Sequence, residues 1–319
     1  VNQFLEELKK ELKKQNISDA EMNDILSDHE EMLREAMEEG LSEEDIRTKF
    51  GDPSKIAEEL KASTEASEEH EKVGDYRLYK TFEVPTEDFS MTIEFINEDA
   101  EFGLSESGNI EILYQGRPEL EKYTFQYENN HLLIHSPRNL RSGFTLFLSK
   151  TKSAFKILLP KKKIQTAVFH SVNGDFCIKN LNIGSLALKN TNGDLCIKDI
   201  VTENVKLDTV NGDVQLSNLI ATELKFSTIS GDVALNNVDV SGPFDVNTVS
   251  GDFDANQVRC GKCYFHAVSG DFDGKEFYPE EISLQSVSGD ISIHNSDASR
   301  PIHVAQKKSV SGDINITSK

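Results

Sequence analysis

Eight aspartates, each preceded by glycine, are the side chains in this 319-residue sequence best placed to do chemistry together. They form the pairs Gly174-Asp175, Gly193-Asp194, Gly212-Asp213, Gly231-Asp232, Gly251-Asp252, Gly270-Asp271, Gly289-Asp290 and Gly312-Asp313. From one aspartate to the next the spacings are 19, 19, 19, 20, 19, 19 and 23 residues. Carboxylates repeated this way are suited to three tasks. They could hold calcium, a hard cation that takes several oxygens. Two of them could share glycosidase work, which requires an inequivalent acid and base about 5–9 Å apart. Or each could accept a backbone N–H at its own corner, as Asp does in Asx turns. The third is the expectation. Calcium-binding repeats supply more oxygens per turn, and a row of like aspartates has no differentiated acid and base. The sixteen residues are therefore assigned as structural corners, with no catalytic residue, cofactor or metal.

Cysteine offers two further constellations. Cys260 and Cys263 have the spacing of a metal knuckle, but zinc needs about four ligands and no second pair completes the set. Cys177 and Cys196 each follow a repeat aspartate by two residues. If consecutive repeats stack, their Cα atoms stand about 4.8 Å apart, within disulfide range. No GxSxG, HExxH or P-loop pattern is present. The lysines Lys150, Lys152, Lys156 and Lys161 to Lys163 are the best candidate for a local basic patch and are read as a solvated face.

The elements that must carry these groups follow from the repeat. Each Gly-Asp pair follows Asn or Ser: Asn173, Asn192, Asn211, Ser230, Ser250, Ser269, Ser288 and Ser311. Apolar residues recur one and three positions after the aspartate (Phe176/Ile178, Leu195/Ile197, Val214/Leu216), which is strand alternation. Further apolar residues come at six (Leu181, Ile200, Leu219) and at eleven and thirteen (Leu186/Leu188, Val205/Leu207). Another set stands three before the aspartate (Val172, Val210, Ile229, Val249, Val268, Val287, Val310). Read together, these predict about six inward side chains per coil. A single coil cannot shield them, so coils must stack into one apolar column. The fold class is mostly β: a parallel β-solenoid of about eight 19-residue coils, preceded by irregular β coils, plus a small N-terminal all-α domain. Asp254-Ala255 and Gly274 replace larger inward residues and predict a narrower column or a bulge. The long last interval, with Arg300 and Pro301, predicts an outward bulge. Lys307 and Lys308 near the final strand oppose edge-to-edge association.

Between residues 73 and 165 the strand candidates Tyr76–Phe82, Met91–Phe95, Ile110–Ile112, Thr124–Tyr127 and Phe155–Leu158 are irregularly spaced. They are expected to form wider opening coils that cap the column's first edge. The regular solenoid then occupies 166–319.

Residues 1–72 read as a helical domain and linker. Leu5, Leu8 and Leu12 recur at helical spacing. Ser18 and Glu21 form a capping box. Gly40 and Gly51 stop helices, and Pro53 opens another. This segment holds 22 acidic and 10 basic residues, so it carries −12 of the chain's formal charge of −21. It resembles the DUF1700 or HAAS helical family, most specifically in EEGLSEEDIRTKFGDPSKIAEEL. That family is often found before membrane segments or beside envelope-related proteins and contributes no catalytic residue. The β half resembles the DUF4097 family, labelled "putative adhesin", through FKILLPKKKIQTAVFHSVNGD and the recurring SVSGD or TVNGD. The resemblance implies a β-solenoid without established activity, substrate or cofactor.

The net charge disfavours nucleic acid and anionic membrane surfaces. No apolar run is long enough to span a bilayer, and the N-terminus lacks an apolar signal core. The expected location is the cytoplasm, where Cys177 and Cys196 would be reduced. The expected function is a non-catalytic scaffold or protein-interaction protein. Its helical head binds a protein partner, and the resemblance implies a link to envelope maintenance or stress signalling. A surface adhesin and, further off, a carbohydrate-active β-solenoid are the alternatives.

Overall fold

A computed structural model describes residues 2–14, 22, 26, 53, 54, 57, 76–83, 87–116, 118–137 and 153–318. The chain divides into two compact units, residues 1–75 with 138–152, and residues 76–137 with 153–319. In the first, helix α1 (Asn2–Lys14) buries Phe4, Leu8 and Leu12. These stand at i, i+4 and i+8, one helical face. Phe4 rather than Leu5 leads the stripe, since Leu5 is only half-buried. The capping box, Gly40, Gly51, the linker, Lys150 and Lys152 lie outside the described residues.

Among the described residues, the second unit is one continuous stack of 19 strands. Its opening strands are β1 (Arg77–Phe82), β2 (Phe89–Glu94), β3 (Asp99–Leu104), β4 (Ile110–Gln115), β5 (Thr124–Glu128), β6 (His131–His135) and β7 (Ala154–Leu159). They lead into β8 (Lys163–Asn173), β9 (Phe176–Lys179), β10 (Asn182–Asn192) and β11 (Leu195–Asn211). The stacking order departs from chain order. β2 and β3 lie parallel to β8 and β9, while β6 and β7, later in sequence, stack on the other side of β2 and β3. β5 pairs antiparallel with β6, β4 with β7, and β1 with β4. These antiparallel strands close the first edge of the column. Without them its apolar lining and backbone groups would face water.

From β8 onward every pairing is parallel; residues 19 or 20 apart sit directly opposite, except in the final coil, where the partners are 22 or 23 apart. The inward positions are those expected at one, three, six, eleven and thirteen, and they are almost fully buried. The set three before each aspartate is a correction. Ile229, Val249, Val268 and Val287 are 46–51% exposed, and Val310 is 83% exposed. The inward residues are one position earlier: Ser171, Asn190, Thr209, Thr228, Thr248, Ala267 and Ser286. The reason is parity. In the strand Leu186–Leu188–Asn190 the inward residues alternate by two, so Thr191 and its equivalents must face out.

The expected narrowing at Ala255 and Gly274 is also corrected. The register runs straight through Leu235, Ala255, Gly274 and Ile293. Neighbouring aromatics supply the missing volume: Phe265 and Phe253 pack on Phe272 at 4.8 and 5.2 Å, and Phe277 at 5.3 Å. A Cβ on Gly274 would meet Ile293 and Phe277 at 3.2 Å. Bulk lost at one position has moved to another in the same layer, which keeps the interior close-packed.

The long last interval leaves the stack as a turn around Asp297–Arg300. The buried Asn295 side chain replaces ladder bonds there, accepting from the Phe277 N–H and donating to its carbonyl at 2.8 and 2.7 Å. In the final coil Lys307 stands in register with the buried Leu284, and its ammonium donates across the column to the Ile314 carbonyl. A charge in the inward register of the last coil makes the end a poor template for another strand. Lys307→Leu is expected to leave the fold intact and to add a concentration-dependent dimer in sedimentation velocity. A monomer at all concentrations would remove this role.

Candidate functional site

The Gly-Asp corners form a single rail, and its chemistry is between coils rather than within them. Oδ1 of Asp175 accepts the backbone N–H of Asp194 at 2.8 Å, and Asp194 accepts that of Asp213 at 2.9 Å. The relay continues through Asp232, Asp252, Asp271 and Asp290 to the amide of Asp313, at 2.7–2.9 Å. The expectation of an Asx bond at each aspartate's own corner is thus corrected. A strand-spaced stack places the next coil's amide within reach, and that donation offsets the repulsion between neighbouring carboxylates. The main chain locks the same joint in the opposite sense, with Phe176 N–H donating to the Asp194 carbonyl at 2.9 Å.

The rail begins one corner earlier than the Gly-Asp signature. Asp99 Oδ1 accepts the Asp175 N–H at 3.0 Å, and Asn97 Oδ1 accepts from the Asn173 amide at 2.7 Å. The same amide-to-amide stack continues through Asn192 and Asn211 at 2.8 Å. Asn97-Glu98-Asp99 is therefore a corner with Glu where the others carry Gly. Glu98 is 6% exposed. Its carboxylate accepts from the Ile96 and Asn97 N–H groups, Ser136 Oγ and the Tyr123 hydroxyl at 2.7–2.9 Å. Burial, with the Glu98 charge beside it, raises the Tyr123 pKa, so that hydroxyl remains a donor. The signal for this corner was Asn-x-Asp without its glycine.

A second corner escaped the sequence reading. Asn180, Asp199, Asn218, Asn237, Gln257 and Glu276 all hold φ between 53 and 59°. Asn and Asp tolerate this left-handed region, whereas longer side chains are strained there. Asn218 donates to Asp199 at 2.7 Å and Asn237 to Asn218 at 2.8 Å, a second side-chain ladder. Gln257 and Glu276 break the Asn/Asp pattern, which hid it. Gln257→Asn is expected to stabilise the rod by about 0.5 kcal/mol, read as a higher urea midpoint with unchanged m value. A lower midpoint would contradict it.

Cys260 and Cys263 are both buried in the column. A hydrogen bond to Cys260 and then burial push the Cys263 thiol well up. No group of three or more metal-ligating side chains occurs among the described residues. Of the basic run, Lys163 is engaged with Glu203 at 2.7 Å and Lys156 lies 3.9 Å from Glu101. Glu276 and Asp297 tether the last outward turn. Hydrogen bonds from Tyr278 and Ser296 lower the Glu276 pKa, and bonds from Ser299 lower that of Asp297.

The surface beside the rail is more regular than its neighbours. Val172, Val210, Ile229, Val249, Val268, Val287 and Val310 form an outward aliphatic row, broken only by Thr191, three residues from the aspartates throughout. The next outward row carries His170, Lys189, Asp208, Ser227, Asn247 and His266, with no common chemistry. Among the described residues no helix is long and apolar enough to cross a membrane.

A repeat rod whose corners bond one coil to the next, with like carboxylates in like settings, defines a β-solenoid with a surface to present. The chain belongs to the Toastrack DUF4097 family, whose model matches residues 89–317, and residues 3–59 match the HAAS family. No curated protein matches it. Among solved structures it is similar to a "putative adhesin" from Parabacteroides distasonis, at 17% identity over 76% of this chain and 98% of that one, with a TM-score of 0.55. It is also similar to a "putative adhesin" from Bacteroides fragilis, at 17% identity over 75% and 97%, TM-score 0.40. A third, from Parabacteroides merdae, shares 15% identity over 76% and 97%, TM-score 0.39. At 17% identity the likeness to the first of these is one of fold.

Proposed function

We propose that this chain is a non-catalytic interaction protein whose rod docks a polypeptide along the corner edge. One observation carries the reading: an exposed aliphatic row runs parallel to a row of eight aspartates, each step one coil, for about 34 Å. Exposed apolar area arranged contiguously marks a binding surface far more than scattered residues do. The occupant that fits is a protein segment with an apolar face bordered by lysine or arginine. Its cations would meet the carboxylate rail, and steering by a chain of charge −21 would speed the encounter.

The helical head is assigned to recruit a protein partner, supported by the HAAS match. The habitual company of that family supports a role in envelope maintenance or stress signalling. The native protein is expected in the soluble cytoplasmic fraction, and recovery from the cell surface would favour an adhesin instead. The docking test uses two amphipathic peptides of equal hydrophobicity, one flanked by lysines and one by glutamates. Fluorescence anisotropy with the full chain should show binding of the lysine peptide alone, weakened by salt. Paired Val249→Ser and Val268→Ser substitutions should weaken it about tenfold, a loss of about 1.4 kcal/mol. Equal binding of both peptides, or no effect of the paired substitutions, would sink the reading.

A further inference from the structure

Cys177 and Cys196 occupy facing positions of β9 and β11, with Cα atoms 4.4 Å apart and their sulfurs joined. They differ from Cys260 and Cys263 in being only half-buried. Both form one wall of a groove of about 300 Å³, large enough for a small organic molecule. Tyr76 closes one side of the groove, and its remaining charged lining is acidic: Asp99, Glu101, Asp175, Asp194 and Asp213. The cations nearest to hand, Lys156 and Lys179, are drawn to Glu101, at 3.9 and 3.5 Å. The outward row on which the sulfurs sit runs Lys156, Glu101, Cys177, Cys196 and Gln215 across successive strands.

We propose that Cys177–Cys196 is a thiol–disulfide exchange site that selects cationic thiols over anionic ones. A disulfide opens by attack of a thiolate on one sulfur, so access and the local field decide which thiols react. Here access is through the groove, and the field is that of five carboxylates within one small space. A thiol carrying an ammonium is concentrated there, and one carrying a carboxylate is repelled. In the forward direction the incoming thiolate bonds to one cysteine sulfur. The S–S bond breaks, and its electron pair leaves on the other cysteine, which takes a proton from water. A second thiolate of the same kind then attacks the small-molecule sulfur of the mixed disulfide. The remaining cysteine is expelled as a thiolate and protonated. Two small thiols are oxidised to one small disulfide, and the protein disulfide is reduced to two cysteines. The reverse reaction, with the small disulfide as oxidant, restores the staple. At this end of the rod Glu101 and the first rail aspartates converge on the groove that holds the pair.

The test compares cysteamine with 3-mercaptopropionate on the full-length oxidised protein. Rates are expressed per thiolate and normalised to the same thiols acting on bis(2-hydroxyethyl) disulfide. At low ionic strength cysteamine should be favoured at least tenfold. The preference should shrink severalfold at 1 M salt, where the Debye length falls to about 3 Å. Glu101→Gln with Asp213→Asn should reduce it in the same direction, with the fold checked by circular dichroism. Cys177→Ser should abolish exchange without unfolding the rod. Equal normalised rates, a preference indifferent to salt, no exchange in the folded protein, or two unpaired thiols after incubation with the small disulfide would each overturn the assignment.

Discussion

Replacing Gly231 by alanine is expected to cost the rod on the order of 4 kcal/mol. Two obstacles act at once. Gly231 has φ of +114°, where a residue with a Cβ is strained. In addition, a Cβ at this position would lie 2.2 Å from the carbonyl oxygen of Gly212 and 2.7 Å from its carbon. Both atoms belong to the backbone of the preceding coil, so no side-chain rotation relieves the clash. The coils would have to part, breaking the bonds from Ser230 N–H to the Val210 carbonyl and from Asp232 N–H to Asp213. Each coil couples mainly to its neighbours, so the damage should be local before it is global. Amide exchange should rise first around the altered corner, and the urea midpoint should drop sharply. Gly103→Ala is the control. Its Cβ would meet only the Leu158 side chain, at 3.9 Å, and the change should fall within about 0.5 kcal/mol of neutral. A G231A protein with an unchanged midpoint would show that the corner carbonyls are not in contact.

Glu98→Ala is expected to be nearly as damaging, by about 3–5 kcal/mol. The substitution strips one acceptor from four donors at once: two backbone amides, Ser136 Oγ and the Tyr123 hydroxyl. They lie in a part of the cap where water cannot easily replace the carboxylate, since Ser136 is itself only 1% exposed. Glu98→Gln should cost less, about 1–2 kcal/mol. The glutamine carbonyl can keep Ile96, Asn97 and Ser136, all of which donate to the same carboxylate oxygen. The amide nitrogen would then face Tyr123, whose hydroxyl can turn to accept. The ordering alanine worse than glutamine is the informative result, measured by chemical unfolding with a probe in the cap such as Tyr123 fluorescence. Equal costs for the two variants would mean that Glu98 contributes charge or bulk rather than satisfied hydrogen bonds.

The two variants bear on function through the rail they interrupt. The proposed docking edge is straight only while each corner rests on the last, and Glu98 with Asp99 starts that alignment at the cap. A corner that opens at Gly231 would offset the carboxylates on either side and shorten the continuous surface offered to a partner. Peptide binding should therefore fall in G231A even under conditions where most of the protein remains folded.

Whatever the chain encodes within one winding could be read directly from its residues. The spacing of Asp175, Asp194 and Asp213 set the coil length, and Phe176 and Ile178 with their equivalents marked the inward face. Even the misplacement of Val249 and Val268 was avoidable, since alternation from Cys263 and Phe265 leads inward to Ala267 and leaves Val268 outside. Relations between windings were decided only by the tertiary structure. That each aspartate serves the amide of the next coil depends on how closely the coils approach. That Asp99 joins a rail 76 residues away depends on β6 and β7 taking a place ahead of strands that precede them in the chain. Local preference acts through the few bonds on either side of a residue, whereas stacking order is a choice among distant segments with equally apolar faces. Only the packed column, by burying one arrangement of those faces, makes that choice.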